Sequence, residues 1–287
     1  MPTLLLFFDG LGVGTDDPAR NPFAAEEARR LAPLAGRQPD DGCEFRPLDA
    51  TLGVAGLPQS ATGQTTLYTG INAARLLGRH QLGFPGPSLW PVLERESLFK
   101  KLVSAGQRPT FANAYPAAYF DARRPRWGAT TRMVMASGVP FRRLETDEAE
   151  DAALPHDYTG AWSQRRGYPS RARTATEAAR VLAGLLESHD LVLYEYFLTD
   201  LAGHRGTADE RREQAARAEA LVDAALGEVD LDRHAVVVIS DHGNLEESHH
   251  DRHTLNPAPI LAWGRGAADL VSRVDRFEAL TPALLGV

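Results

Sequence analysis

Short apolar runs that lead to an aspartate recur along this sequence, and they constrain its fold more than any other feature. A short continuous apolar run closed by a polar turn is typical of a strand buried on both faces of a parallel sheet. The runs and the aspartates that follow them are 3–8 with Asp9, 191–197 with Asp200, and 235–240 with Asp241. A fourth apolar run, 259–263, follows His253 and the turn-forming pair Asn256 and Pro257.

Helical patterns separate these predicted strands. They cover 96–105, 175–188 and 207–226, where apolar residues recur with helical spacing. Alternating strands and helices predict an α/β fold with a mostly parallel, doubly wound sheet and helices on both faces. Ligands in such sheets bind beyond the carboxyl ends of the strands. The aspartates therefore lie where a site is expected.

The segment 115–173 has a different composition, rich in arginine, proline, glycine and acidic residues. A stretch of this length without secondary structure is improbable inside a compact core. We interpret 115–173 as a small inserted cap, and 1–114 together with 174–287 as the core that carries the site.

Charge and cysteine content exclude several classes of protein. The formal net charge of −7 gives no electrostatic reason to expect nucleic acid or an anionic membrane surface as a partner. Cys43 is the only cysteine, so no intramolecular disulfide can form. No apolar stretch approaches the length of a membrane span, and the apolar start is too short for a signal-peptide core. We therefore expect a cytoplasmic protein.

Three aspartates and three histidines lie at or near the ends of the predicted strands. They are Asp9, Asp200, His204, Asp241, His242 and His253. Mixed carboxylate and imidazole ligands suit zinc or manganese, whereas calcium and magnesium favour oxygen ligands. Six ligands are too many for one catalytic zinc, which typically has three protein ligands. The sequence therefore predicts two divalent ions, Mn²⁺ or Zn²⁺.

Ser60 is the candidate nucleophile for a reaction at such a pair of ions. It belongs to a hydroxyl-rich turn that is predicted to open a helix, and backbone N–H groups at a helix start favour an anion. A serine hydroxyl needs a base or a metal to become reactive. The alternatives are that Ser60 is a simple helix cap, or that Thr62 is the nucleophile.

These clusters together resemble the cofactor-independent phosphoglycerate mutases and phosphopentomutases of the alkaline phosphatase superfamily. The resemblance rests on the Asp-x-x-x-His-x-Gly pattern at 200–206, the His-Thr-x-Asn-Pro pattern at 253–257, and the Ser-x-x-Gly turn at 60–63. It implies an alkaline-phosphatase-like three-layer sandwich and a phosphoserine intermediate. It also implies one metal held by Asp9, Ser60, Asp241 and His242, and a second held by Asp200, His204 and His253.

The sequence departs from these families at three points. Gln64 stands where the nucleophile turn commonly has histidine, the insert is much smaller than in the phosphoglycerate mutases, and no lysine follows Lys101. The phosphate-binding lysine implied by the resemblance is therefore missing. Candidate substrate-binding residues in its place are Asn113, Arg123, Arg126 and Arg132, although the arginines could merely solubilise the cap.

The sequence predicts a two-metal phosphoester hydrolase or phosphotransferase that acts on a small phosphorylated substrate. Loss of a large closing domain favours water as the final acceptor of the phosphoryl group. The alternatives are a phosphomutase that returns the group to its own substrate, a phosphodiesterase or sulfatase, and a non-catalytic metal-stabilised binding protein. The sequence assigns no oligomeric state.

Overall fold

The computed structural model describes residues 1–121 and 126–286. The strands are β1 Thr3–Phe8, β2 Glu44–Leu48, β3 Pro109–Phe111, β4 Ala114–Tyr115, β5 Arg142–Arg143, β6 Leu191–Tyr196, β7 Ala235–Ile239 and β8 Ala258–Gly264. The α-helices are α1 Ser60–Thr69, α2 Ala73–Leu77, α3 Trp90–Glu96, α4 Leu98–Ser104, α5 Ala129–Ser137, α6 Ala161–Arg165, α7 Ala175–Leu186, α8 Leu198–Arg205, α9 Ala208–Glu228, α10 Ala267–Arg273 and α11 Leu280–Leu285. None of the helices within these ranges has the length and hydropathy that crossing a bilayer requires.

Within the described residues, six strands form the main sheet in the order β2-β8-β7-β1-β6-β3. β1 pairs in parallel with both β6 and β7, and β6 pairs in parallel with β3. The predicted α/β fold with a mostly parallel sheet is therefore confirmed. β8 is the exception, because it runs antiparallel to β7 and β2.

The direction of β8 matters for the site. Because β8 is antiparallel to β7, it starts at the edge of the sheet where β7 ends. The connection between them carries His242 and His253 and never has to cross a face of the sheet. It therefore stays over the carboxyl ends of the parallel strands.

Alternate side chains of β1 enter two separate hydrophobic cores. Leu4, Leu6 and Phe8 pack with apolar residues of α7 and α9 on one face. Leu5 and Phe7 pack with residues of α1, α4 and α10 on the other. All five side chains are at most 1% exposed. These two cores give the molecule three layers, with the sheet between two layers of helices.

Two of the predicted helices begin with a clear capping signal, whereas the predicted start of a third was wrong. α7 and α9 each begin with a capping box, formed by Thr174 with Glu177 and by Thr207 with Glu210. The helix predicted over 96–105 instead begins at Leu98. Its predecessor Ser97 has extended backbone and separates α3 from α4.

The predicted cap contributes one helix to the core. Ala129, Met133 and Val134 of α5 are buried in the same cluster as Leu93 of α3 and Phe99 of α4. α5 therefore packs directly on the core helices. The assignment of 115–173 as a separate cap stays a prediction.

Candidate metal centre

The predicted ligands converge at the carboxyl edge of the sheet. Asp9 follows β1 directly, and Asp241 follows β7 after one intervening residue, Ser240. Asp200 and His204 lie four residues apart on α8, and this spacing puts both on one face of the helix. His253 lies in the connection to β8. Segments that are far apart in sequence thus meet at one point.

Asp200, His204 and His253 form the first group of potential ligands. Nε2 of His204 lies 2.9 Å from Nε2 of His253 and 3.4 Å from Oδ1 of Asp200. Nε2 of His253 lies 3.5 Å from the same oxygen. Ligand bonds of about 2.0–2.2 Å in tetrahedral geometry put ligand atoms roughly 3.5 Å apart. The spacing is therefore close to that of three ligands on one ion.

Asp9, His242 and Asp241 lie beside this first group. Nε2 of His242 is 3.3 Å from Oδ1 of Asp9 and 3.6 Å from Oδ2 of Asp241. Ligand atoms of Asp9, Asp200 and His242 also lie within 4.8 Å of one another. Asp200 is thus close to both groups, so the two predicted ion sites adjoin.

Backbone carbonyls fix which ring nitrogen of His204 and of His253 points toward this centre. Nδ1 of His204 lies 2.6 Å from the carbonyl of Asp251, and Nδ1 of His253 lies 2.7 Å from that of Pro58. A neutral imidazole that donates through Nδ1 keeps its lone pair on Nε2. Both histidines therefore turn the lone pair of Nε2 toward the centre, as metal ligation requires.

Burial and mutual charge shift the pKa values of the aspartates and of His242 in this centre. Burial and the charge of Asp241 raise the pKa of Asp9 to about 7. Burial also raises the pKa of Asp241. Burial opposes the charged form of His242, but the charge of Asp241 and contact with Asp9 raise the pKa of His242 to about 10. For Asp200, burial is outweighed by the hydrogen bond and charge of the surrounding histidines, so its pKa lies below the usual range.

The donor set fits divalent ions. Three carboxylates are concentrated in a space where Asp9 and Asp241 are 8% and 0% exposed, and the buried Oδ1 of Asp9 makes no hydrogen bond and lies 3.3 Å from Nε2 of His242. Buried carboxylates crowded in this way are costly unless cations meet them. Mixed oxygen and imidazole donors suit zinc or manganese. The ligand assignments themselves stay predictions.

Ser60 and Gln64 lie on α1 beside this centre. Ser60 is the first residue of the helix, and its Oγ lies 2.9 Å from Nε2 of His242. Nε2 of Gln64 donates to Oδ2 of Asp9 at 3.1 Å and to Oδ2 of Asp241 at 3.0 Å. The Gln64 amide thus bridges two carboxylates, at the position where the nucleophile turn of the resembled families commonly has histidine. Thr62 is fully buried, and its hydroxyl donates to the carbonyl of Gln59.

Glu246 joins the loops that carry these residues, although it was not among the predicted site residues. Its side chain is 1% exposed. Oε2 accepts from the amides of Gly12 at 3.0 Å and Asn244 at 2.7 Å. Oε1 accepts from Oγ1 of Thr254 at 2.5 Å and from Nδ2 of Asn256 at 3.0 Å. An acidic residue in a loop is ordinarily exposed, so no sequence pattern marked it.

Replacing Glu246 by alanine should lower the free energy of unfolding by about 3 kcal/mol, because four buried donors lose their acceptor. It should also lower metal content, because the loops bearing Asp9 and His253 lose their common anchor. Glu246→Gln is the matched control, expected to stay within about 1 kcal/mol of wild type. The glutamine oxygen can accept from the two backbone amides. Its NH2 group can donate to the Thr254 hydroxyl after that hydroxyl rotates, and to the Asn256 side-chain oxygen after that amide flips. Chemical unfolding and elemental analysis measure both effects, and equal losses in the two variants would contradict this role.

A cavity of about 710 Å³ opens above Ser60 and Asp200. Of the predicted substrate-binding residues, Arg126 lines it.

Asn113 instead pairs with strand β6, where its amide bonds both the N–H and the carbonyl of Glu195. The guanidinium of Arg132 stacks 3.9 Å above the ring of Trp90. Arg123 lies outside the described residues.

Known proteins share the sequence patterns and the fold. A family model described as the metalloenzyme superfamily matches residues 164–282, a range that contains the predicted ligands from Asp200 to His253. A 2,3-bisphosphoglycerate-independent phosphoglycerate mutase of Paracoccus denitrificans is 26% identical over 245 residues, which cover 65% of this chain and 45% of the relative. The enzyme of the same name from Cereibacter sphaeroides is 37% identical over 110 residues, covering 34% of this chain and 21% of the relative. The chain spans less than half the length of these relatives.

Among solved structures, the alkaline phosphatase of the Antarctic bacterium TAB5 superposes with a TM-score of 0.58 at 12% identity. The superposition covers 99% of this chain and 97% of that enzyme. At this identity the likeness concerns the fold.

Proposed function

We propose that this chain, a metal-dependent enzyme of the alkaline phosphatase superfamily, hydrolyses a small phosphate monoester through a phosphoserine on Ser60. The observation that carries the proposal is the position of the Ser60 hydroxyl, 2.9 Å from Nε2 of His242 and beside two adjoining groups of candidate ligands. Such a juxtaposition of a hydroxyl with a cation site suits attack on phosphorus.

Asp9, Asp241 and His242 would hold one divalent ion, and Asp200, His204 and His253 the other. When bound, the ions supply positive charge for the oxygens of the phosphoryl group and for the attacking and departing oxygens. The protein residues around them fix this arrangement before substrate arrives. Gln64 holds two of the carboxylates by hydrogen bonds, and Glu246 holds the loops.

The proposed reaction has two displacements. In the first, Oγ of Ser60 forms a bond to phosphorus as the bond from phosphorus to the ester oxygen breaks, and the proton lost by Oγ ends on the ester oxygen, which departs as the alcohol. The start of α1, where Ser60 lies, favours the negative charge of the phosphoryl group. In the second, water attacks phosphorus, the bond to Oγ breaks, one proton of the water ends on Oγ, and inorganic phosphate leaves.

A phosphomutase is the second candidate, because the curated relatives are named as phosphoglycerate mutases. In that reaction the phosphoserine returns its phosphoryl group to another hydroxyl of the same substrate. The predicted insert of 115–173 is small for retaining a substrate between the two steps, and this favours hydrolysis.

One assay separates the two candidates. Purified protein, reconstituted with Mn²⁺ or Zn²⁺, is incubated with a panel of phosphomonoesters, phosphodiesters and sugar phosphates. Free phosphate and positional isomers are then quantified in the same samples. We expect release of phosphate from monoesters. Isomer formation without phosphate release would establish the mutase instead, and turnover of diesters alone would make the protein a phosphodiesterase.

A further inference from the structure

The cavity above Ser60 has a wall of aromatic side chains that the proposed reaction does not use. Phe197 follows β6, and its ring centroid lies 5.4 Å from that of Trp162 and 5.1 Å from that of His156. Beyond His156 follow Tyr115, at 4.9 Å, and Tyr119, which lies 4.4 Å from Tyr115. All five rings line the cavity. They form a continuous aromatic wall from α6 to the segment after β4.

This aromatic wall shares its cavity with the reacting centre. Ser60, Asp9 and Asp200 line the same cavity, and so does Leu201 of α8. An ester whose phosphoryl group lies at Ser60 therefore has the rings of Phe197 and Trp162 within the same cavity as its alcohol part. Pockets lined by aromatic side chains bind flat apolar groups through ring stacking and edge contacts.

The charged residues of the cavity argue against an anionic alcohol. Three arginines line it, Arg126, Arg166 and Arg205, and all are exposed. Arg166 is already stacked 3.9 Å above the ring of Trp162. Glu195 also lines the cavity, and its side chain is 12% exposed. A carboxylate on the substrate would find no buried cation among the described lining residues, which is unfavourable.

We propose that the alcohol part of the substrate is an uncharged group with an aromatic ring, seated against Trp162 and Phe197. This inference rests on the proposed function, because it assumes that the phosphoryl group of a monoester lies at Ser60. It names the substrate class of that site as arylalkyl or aryl phosphates. Phosphorylated sugar acids fall outside this class.

The binding test needs no catalysis. 2-Naphthalenemethanol, an aromatic alcohol without a phosphoryl group, is titrated into metal-loaded protein by calorimetry. We expect saturable binding that weakens about tenfold in Trp162→Leu, which loses the ring contacts. Trp90→Leu is the matched control and should bind as wild type, because Trp90 packs against Arg132 and does not line the cavity. Thermal unfolding checks that both variants are folded. No saturable binding, or equal binding by both variants, overturns the inference.

The kinetic test uses three esters of alkyl alcohols, so that the chemical leaving ability is nearly matched. They are 2-naphthylmethyl phosphate, ethyl phosphate and 3-phosphoglycerate. We expect KM to be at least about tenfold lower for the naphthylmethyl ester than for the other two, and Trp162→Leu to narrow this difference. Equal KM values with phosphate release would overturn the inference and leave the proposed function intact. Binding of the alcohol without release from any ester would leave the aromatic site intact and overturn the proposed function.

Discussion

Replacing Ser60 by alanine is expected to reduce phosphate release from an aryl phosphate by at least about a thousandfold, because the attacking oxygen is removed. Ser60 is one of the four ligands that the resemblance implies for the first ion, but the three aspartates and three histidines remain, so elemental analysis should still find divalent metal. Phosphate release by metal-reconstituted protein is the measurement, with thermal unfolding as the check on folding. A loss of rate with metal retained separates a nucleophile from a residue that only supports the site.

Thr62→Val is the matched control for this prediction. Thr62 lies two residues further along α1, but its hydroxyl is fully buried and donates to the carbonyl of Gln59. The variant should keep most of the wild-type turnover. If Ser60→Ala retained substantial activity while Thr62→Val lost it, the nucleophile would be Thr62. If both variants kept their activity, water would be the attacking group.

Asp241→Asn should weaken divalent metal binding by at least about a hundredfold and lower phosphate release with it. Asp241 is 0% exposed, and asparagine keeps its shape and an oxygen for the Gln64 amide. The change therefore removes charge and leaves the packing nearly intact. Metal titration followed by calorimetry, and turnover at fixed metal concentration, measure the two effects.

The sign of the stability change gives a second test of Asp241. In metal-free protein, burial and the charge of Asp200 raise the pKa of Asp241 although the charge of His242 lowers it, so on balance the charged form of Asp241 opposes folding. Asp241→Asn should therefore not lower the melting temperature of metal-free protein. With saturating metal the wild type should gain more than the variant, because ligands that bind the native state stabilise it. A variant that is less stable than wild type without metal would show a structural role and count against ligation.

The patterns along the chain predicted the layers of the fold correctly, for physical reasons that act over short distances. Continuous apolar runs such as Thr3–Phe8 form strands because both of their faces are buried, and each predicted strand is present in the sheet. The carboxyl ends of parallel strands share one edge of a sheet. The convergence of Asp9, Asp200 and Asp241 therefore follows from the strand pattern alone, although their role as ligands stays a prediction.

The sequence patterns did not predict contacts between segments that are distant along the chain. The apolar run 259–263 indicated a strand but not its direction, since direction depends on which edge the preceding loop occupies. The burial of Glu246 depends on the amide of Gly12, in the loop after β1, as well as on three donors from its own connection between β7 and β8, and no sequence pattern relates these two loops. The contacts of Asn113 with Glu195 and of Arg132 with Trp90 were likewise not predicted from the sequence, and a substrate role for either residue stays a prediction.

The sequence by itself determined the order of strands and helices and the residue types available at their ends, because hydrophobic periodicity and turn chemistry are local properties. The tertiary structure alone decided that β8 runs antiparallel, that Gln64 bridges Asp9 and Asp241, and that an aromatic wall lines the same cavity as Ser60. These features arise when side chains separated by many residues compete for the same space and the same hydrogen-bond partners. That competition is settled only when the layers pack together.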